Sequence, residues 1–178
     1  MSFLRRGVTP RPDLNDLIEQ GAIAPGSAAD MARSTVGLAI RPGTPKPDIG
    51  SVGALRGTLL QARSIAYSDG PSGAYVAALL AKLGIEEMAP KTKLISEPVA
   101  ELVARGEAEL GMQQIVAILP VRGAELVGPL PAELQNVIIY AAGVSSGARH
   151  LAAAEDFIAF TRTNEAKRLM RASGLEPA

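Results

Sequence analysis

Residues 68–75, SDGPSGAY, gather Asp, Gly, Pro and Ser where the apolar run RSIAY gives way to the helix-like run VAALLAKLG. Gly and Pro punctuate any strand-to-helix connection, so a plain turn accounts for them. The same residue types also suit an oxyanion. A helix start presents unpaired N–H groups and the positive end of the helix dipole, Ser72 adds a hydroxyl, and Gly73 lets a ligand approach the backbone. A second joint, SEP at 96–98, offers Ser96 in the same setting, and Gln113–Gln114 follow the apolar stretch ELGM at a third. The two amides either close a pocket with side-chain N–H donors or lie on a surface loop. Ser72 and Ser96 equally fit caps on their own helices, the commonest use of Ser at a helix start.

Other chemistries lack their residues. His150 is the one His, which leaves no His-based metal cluster, and its place near a terminal helix makes it a poor general base. No Walker loop, GxGxxG or GxSxG occurs, and nothing has the pattern of a nucleophilic triad. With zero Cys, disulfides, thiolate zinc sites and a Cys nucleophile are excluded. Neither a metal nor a cofactor is expected. The 18 Lys+Arg balance 18 Asp+Glu, and aromatics are only 3%, so neither charge nor stacking favours nucleic acid. A small polar partner is the expectation.

These joints must be positioned by elements. Leu14, Leu17 and Ile18 repeat at helical spacing and Gly21 stops them, which predicts a helix over 12–20. Val36, Leu38 and Ile40 alternate as a strand, followed by PGTPKPDIGS (42–51), a domain linker, an interlobe crossing or a long surface loop. Val52, Leu55, Leu59 and Leu60 then mark a helix between Ile49 and Ala62, and SIAYSD a strand. Val76, Leu79, Leu80 and Leu83 follow as i, i+3, i+4, i+7, with Gly84 as terminator. The next unit repeats the pattern: a strand ending at Ile95, Ser96 as N-cap, Pro98 in the first turn, Val99, Leu102 and Val103 on one face, and Gly106 at the end. ELGMQQ, AELVGPLP and NVIIYAAGV read as further strands, and the C-terminal part as two helices broken near Thr161–Asn164, with Thr163 or Asn164 capping the second. Strands alternating with helices, then terminal helices, imply an α/β protein with mostly parallel sheets covered by helices. A chain of 178 residues with 47% hydrophobic residues can bury a core as one domain or two lobes. Its longest apolar runs, IVAILPV and VIIYAAGV, are too short to span a bilayer, and no signal peptide is evident.

The segments PSGAYVAALLAKLGI, VAELVARGEAELGMQQ, GPLPAELQNV and the terminal ASGLEPA together resemble the bacterial extracellular solute-binding proteins of the molybdate-binding type. LVARGEAELG is the most specific of these and the SGAY helix start comes second; the resemblance runs from about PRPDLNDLIEQG to the C-terminus. It implies a two-lobed, type II periplasmic-binding-protein fold that captures an oxyanion such as molybdate or tungstate and delivers it to an ABC transporter permease in the periplasm. The family's ligand contacts are backbone N–H groups and hydroxyls. Carried over by position, they fall on Ser72 with Gly73, on Ser96, and, in place of the family's pocket tyrosine, on Gln114. That exchange of Tyr for Gln opens the ligand class to organic anions. Such proteins begin with a strand–helix–strand unit carrying an anion loop and a further serine, and this chain starts after both. Lobe one, 1–61 with 137–178, is therefore expected to be incomplete, with MSFLRRGVT where a central strand would run, and 62–136 to form lobe two. Exposed strand edges in lobe one predict a homo-oligomer.

Two other functions stay open. Some enzymes resemble the same family, aconitate isomerase among them, and an isomerase of a small polycarboxylate would draw on Asp69 or Glu97 as the carboxylate nearest the joints. The other is a truncated domain that binds nothing and only self-associates.

Overall fold

The computed structural model describes residues 8–69, 71–85, 92–96 and 98–178, leaving out the side chains of 71, 72 and 92–95. The segment MSFLRRG of the N-terminal expectation and Glu97 lie outside the described residues. The chain divides into two compact units, residues 1–34 with 137–178 and residues 35–136. The long strand β2, Ala29–Ile40, contributes to both. The Pro/Gly-rich segment 42–51 runs inside the second unit.

The second unit is built around a βαβαβ run. Strand β3 (Ile65–Ser68), helix α3 (Pro71–Lys82), strand β4 (Thr92–Ile95), helix α4 (Val99–Arg105) and strand β5 (Leu110–Gln114) follow in order. Parallel neighbours need a crossover between them, and α3 and α4 supply two. Accordingly β3 pairs in parallel with β4 (Ser68↔Ile95) and with β5 (Tyr67↔Met112). β2 runs against this set, pairing antiparallel with β5 and with β6 (Glu125–Pro129). The expectation of mostly parallel sheets therefore holds only for β4-β3-β5. Strands outside that run lack a helical crossover to a neighbour and meet it antiparallel.

Alternation sorts the two faces of this sheet. Val36, Leu38, Ile40, Ile65, Leu110 and Met112 point to one side, where they form the main core with Leu55 and Leu59 of α2 (Val52–Gln61) and Val76, Leu79 and Leu80 of α3. The other side carries Ala39, Ala66 and Gly111 beneath α4, whose Val99, Ala100, Leu102 and Val103 are buried. Small strand residues let α4 sit close. A Cβ on Gly111 would come within 2.7 Å of Val103 Cγ2 and 2.8 Å of Val99 Cγ1. The expected helix from Ile49 begins at Val52, because Ser51 takes the N-cap and its Oγ accepts the Ala54 N–H at 3.1 Å. The four-residue helix α5 (Ile115–Ile118) was not expected, since IVAI alone has no period to distinguish it from a strand.

In the first unit, β1 (Val8–Pro10) pairs antiparallel with β7 (Val137–Ala142), and the first half of β2 pairs with β8 (Glu176–Pro177). Helix α1 (Arg11–Glu19) closes a small core of Leu14, Ile23 and Ala141. Ser27 ties this corner: its Oγ donates to the Ala24 carbonyl at 2.7 Å and accepts the Val144 N–H at 3.0 Å. The two C-terminal helices are α6 (Leu151–Thr161) and α7 (Asn164–Ala172), and Thr163 Oγ1 caps the second by accepting the Ala166 N–H at 3.2 Å. No described helix is long and apolar enough to cross a membrane.

Tyr75 on α3 packs against the main core, and its buried hydroxyl has no hydrogen-bond partner among the described residues. Burial pushes its pKa above the ordinary 10.0. A raised folded value means the neutral form is favoured in the fold, so stability is present below the unfolded pKa and is lost as pH rises through the folded one. Tyr75→Phe removes an unsatisfied donor, so urea unfolding at pH 7 should show a gain of about 1 kcal/mol. The variant should also lose less stability than the parent between about pH 9 and pH 11.

Candidate functional site

The parallel register builds the site. Because Ser68 stands opposite Ile95 and Tyr67 opposite Met112, the residues that leave β3, β4 and β5 emerge side by side at the carboxyl ends of the strands. This is where α/β sheets present their ligand sites. Asp69, Ser96 and the pair Gln113–Gln114 lie there. Ser96 Oγ donates to Asp69 Oδ2 at 2.7 Å, linking the first joint to the second.

Each expected residue has a definite place. Ser72 lies in the first turn of α3, with its side chain outside the described set. Gly73 is buried, and a Cβ there would overlap the Ser68 carbonyl oxygen. With only Asp69 and Gly70 between β3 and α3, the strand end folds back against the helix start, and no side chain fits between them. Ser96 is exposed and does not cap α4. This corrects the capping expectation: Pro98 occupies the N-cap position of α4, and Ser96, two residues earlier, turns to Asp69 instead.

Gln113 takes over that capping role. Its Oε1 accepts the Ala100 N–H at 3.2 Å, satisfying one of the orphan donors of α4's first turn from the neighbouring strand. Gln113 and Gln114 are thus the last two residues of β5, half-buried, rather than a surface loop. Gln114 stands opposite Val36 of β2 and precedes α5 directly. On β2 at this level, Gln135 replaces a strand partner: its Oε1 accepts the Val36 N–H at 2.8 Å and its Nε2 donates to the Val36 carbonyl at 3.0 Å. Sequence reasoning missed Gln135, because a side chain that mimics a backbone across 99 residues has no local signal.

The chemistry of the rim follows from these bonds. Asp69 brings a carboxylate, and the Ser96 hydroxyl proton is directed to it. Ser96 therefore faces a ligand with lone pairs unless its hydroxyl rotates away from Asp69. The start of the twelve-residue α3 carries the Ser72 and Gly73 N–H groups, Pro71 having none. No group of three or more His, Cys, Asp or Glu suited to a metal occurs among the described residues. His150 stands at the N-cap position of α6, exposed and without a capping bond. Cavities of about 270, 230 and 480 Å³ elsewhere are lined by none of Ser72, Gly73, Ser96 and Gln114.

Replacing Gln113 by Leu should leave the Ala100 N–H without its acceptor. The expected cost is about 1–2 kcal/mol in urea unfolding, with faster amide exchange across 99–103 than in the parent. Unchanged exchange there would show that the amide does not hold α4.

Comparison with known proteins identifies the family and the fold. A family model described as bacterial extracellular solute-binding protein matches residues 10–176. A curated protein of Pseudomonas sp named aconitate isomerase is 36% identical over 167 residues, covering 92% of this chain. The chain spans 64% of that relative's length. The fold is similar to the periplasmic molybdate-binding protein of Azotobacter vinelandii (TM-score 0.72, 22% identity, 95% of this chain and 77% of that one). It is also similar to a periplasmic thiamin binding protein (TM-score 0.70, 13% identity, 99% of this chain and 68% of that one). The architecture is that of the type II periplasmic-binding-protein fold.

Proposed function

Since the chain belongs to the bacterial extracellular solute-binding protein family, we propose that it binds a small anion at the carboxyl ends of β3, β4 and β5, as the capture component of an ABC transporter. The observation that carries this reading is the convergence of the strand ends, made explicit by the 2.7 Å bond from Ser96 to Asp69 beside the buried Gly73. The proposed contacts are the backbone at Ser72 and Gly73, the hydroxyls of Ser72 and Ser96, and the amide of Gln114. Residues 62–136 would supply this anion-binding wall. An amide in the Gln114 position and a carboxylate at Asp69 favour an organic acid that brings its own hydrogen-bond donor over a bare tetrahedral dianion. Residence in the periplasm, delivery to a permease, and self-association through strand edges of the first unit belong to the same reading.

A second reading has specific support. The 36% identity to a protein named aconitate isomerase favours proton transfer on a small polycarboxylate at the same rim. Asp69 is the described carboxylate placed for it. It would take an allylic proton from a methylene beside the double bond, the C–H electron pair would form the new double bond as the old one shifts, and the protonated Asp69, exposed and exchanging its proton with water, would deliver a proton to the far alkene carbon. Atoms balance and no co-reactant is required.

A thermal-shift screen with molybdate, tungstate, sulfate, phosphate, citrate and aconitate separates these readings. A ligand at a hundred times its Kd should add about 2.7 kcal/mol of stability. A shift weakened by Ser96→Ala supports the binding site. Deuterium incorporation into aconitate in heavy water, lost in Asp69→Asn while binding persists, supports the isomerase. If no anion shifts the transition, neither the anion-binding reading nor the isomerase reading stands for these ligands.

A further inference from the structure

We propose a second anion site in the first unit, in the cavity of about 480 Å³ between the start of β2 and the junction of α6 with α7, for a compact ligand carrying two or more negative charges. Three cations from three elements line it: Arg33 on β2, Arg162 just past α6, and Lys167 on α7. Among the described residues, no ion pair or hydrogen bond joins their side chains to another residue; Arg33 and Arg162 are exposed and Lys167 is half-buried.

The one described carboxylate side chain that lines the cavity is already engaged. Asp30, on the cavity wall, is engaged by Arg11 (Nε–Oδ1 3.2 Å). Glu176 stands opposite Arg33 in the β2–β8 register, yet makes no ion pair with it, and Glu165 at the start of α7 is exposed. The Ala178 N–H donates to the Met31 carbonyl at 3.1 Å, holding the last residue at the wall. Even with a carboxylate counted on Ala178, the three lining cations outnumber the lining acids that lack a partner.

Like charges gathered in a concave wall repel one another and concentrate a positive potential, which an anion relieves. The guanidinium forks of Arg33 and Arg162 suit the planar or tetrahedral oxygens of carboxylate and phosphate, and Lys167 adds a point charge behind them. The volume falls in the range of about 300–1,000 Å³ typical of small-molecule clefts. The ligand class is therefore inorganic phosphate or a di- or tricarboxylate. The site shares no residue with the rim at Asp69 and Ser96, so the two fail or hold separately.

The test is an NMR titration of the full chain with inorganic phosphate and with citrate at low salt, on the parent, on Ser96→Ala, and on the double variant Arg162→Gln/Lys167→Met. The expected result is that amides of residues 30–33 and 161–167 shift in the parent and in Ser96→Ala, and that affinity in the double variant falls about tenfold or more. Raising the salt should weaken the effect in the parent. Arg33→Gln, on a strand rather than at a helix junction, gives an independent reading if the double variant does not fold. Parent-like binding in both variants, shifts confined to the Asp69 and Ser96 rim, or no binding of either anion tighter than about 10 mM would overturn the proposal.

Discussion

The parallel pairing of β3 with β4 on one side and β5 on the other is the constraint from which the candidate site follows. Parallel strands joined by helices all end at one edge, so residues distant in sequence leave the sheet as neighbours. Ser68 opposite Ile95 makes Asp69 and Ser96 adjacent, and their 2.7 Å bond records that adjacency in side chains. A shift of one residue in that register would move Ser96 away from its place beside Asp69.

That register is held by two unlike layers. On one face, branched and aliphatic side chains of β2, β3 and β5 meet α2 and α3 in the main core. On the other, Ala39, Ala66 and Gly111 leave so little bulk that the Val99 and Val103 side chains of α4 pack directly onto the sheet at Gly111. Gln113 then reaches from β5 to the first turn of α4, so the strand that carries the candidate amides also fixes the helix above them. Gln135 does the same for β2 at the level of Gln114. The rim is framed by amide side chains that spend hydrogen bonds on backbone.

Much of this was legible in the residue pattern. The period of Val76, Leu79, Leu80 and Leu83 marks α3, the Gly at 84 and 106 marks helix ends, and the alternation of strand and helix gives the α/β class. Local rules reach no further than the element they describe. Ser96 before Pro98 has the look of a cap, but whether it caps α4 or meets Asp69 depends on a pairing 27 residues away. The antiparallel entry of β2 was hidden for the same reason, because alternation reports which face a residue takes and not which neighbour it meets. IVAI reads as readily strand as helix, and only its position after β5 decides for α5.

The resulting rim is not a simple anion cup. In the proposed reading, backbone donors at the start of α3 would attract an oxyanion, while Asp69 adds a carboxylate and already receives the Ser96 hydroxyl. A ligand that satisfies both must carry acid groups and offer a proton or hydroxyl to Asp69, which is the chemistry of a small organic acid. The most direct check is residue-resolved amide chemical-shift mapping with citrate and aconitate added to saturation. The account predicts that the largest changes fall on Asp69, Gly73, Ala74, Ser96 and Gln114. Saturating ligand that leaves those amides in place would contradict it.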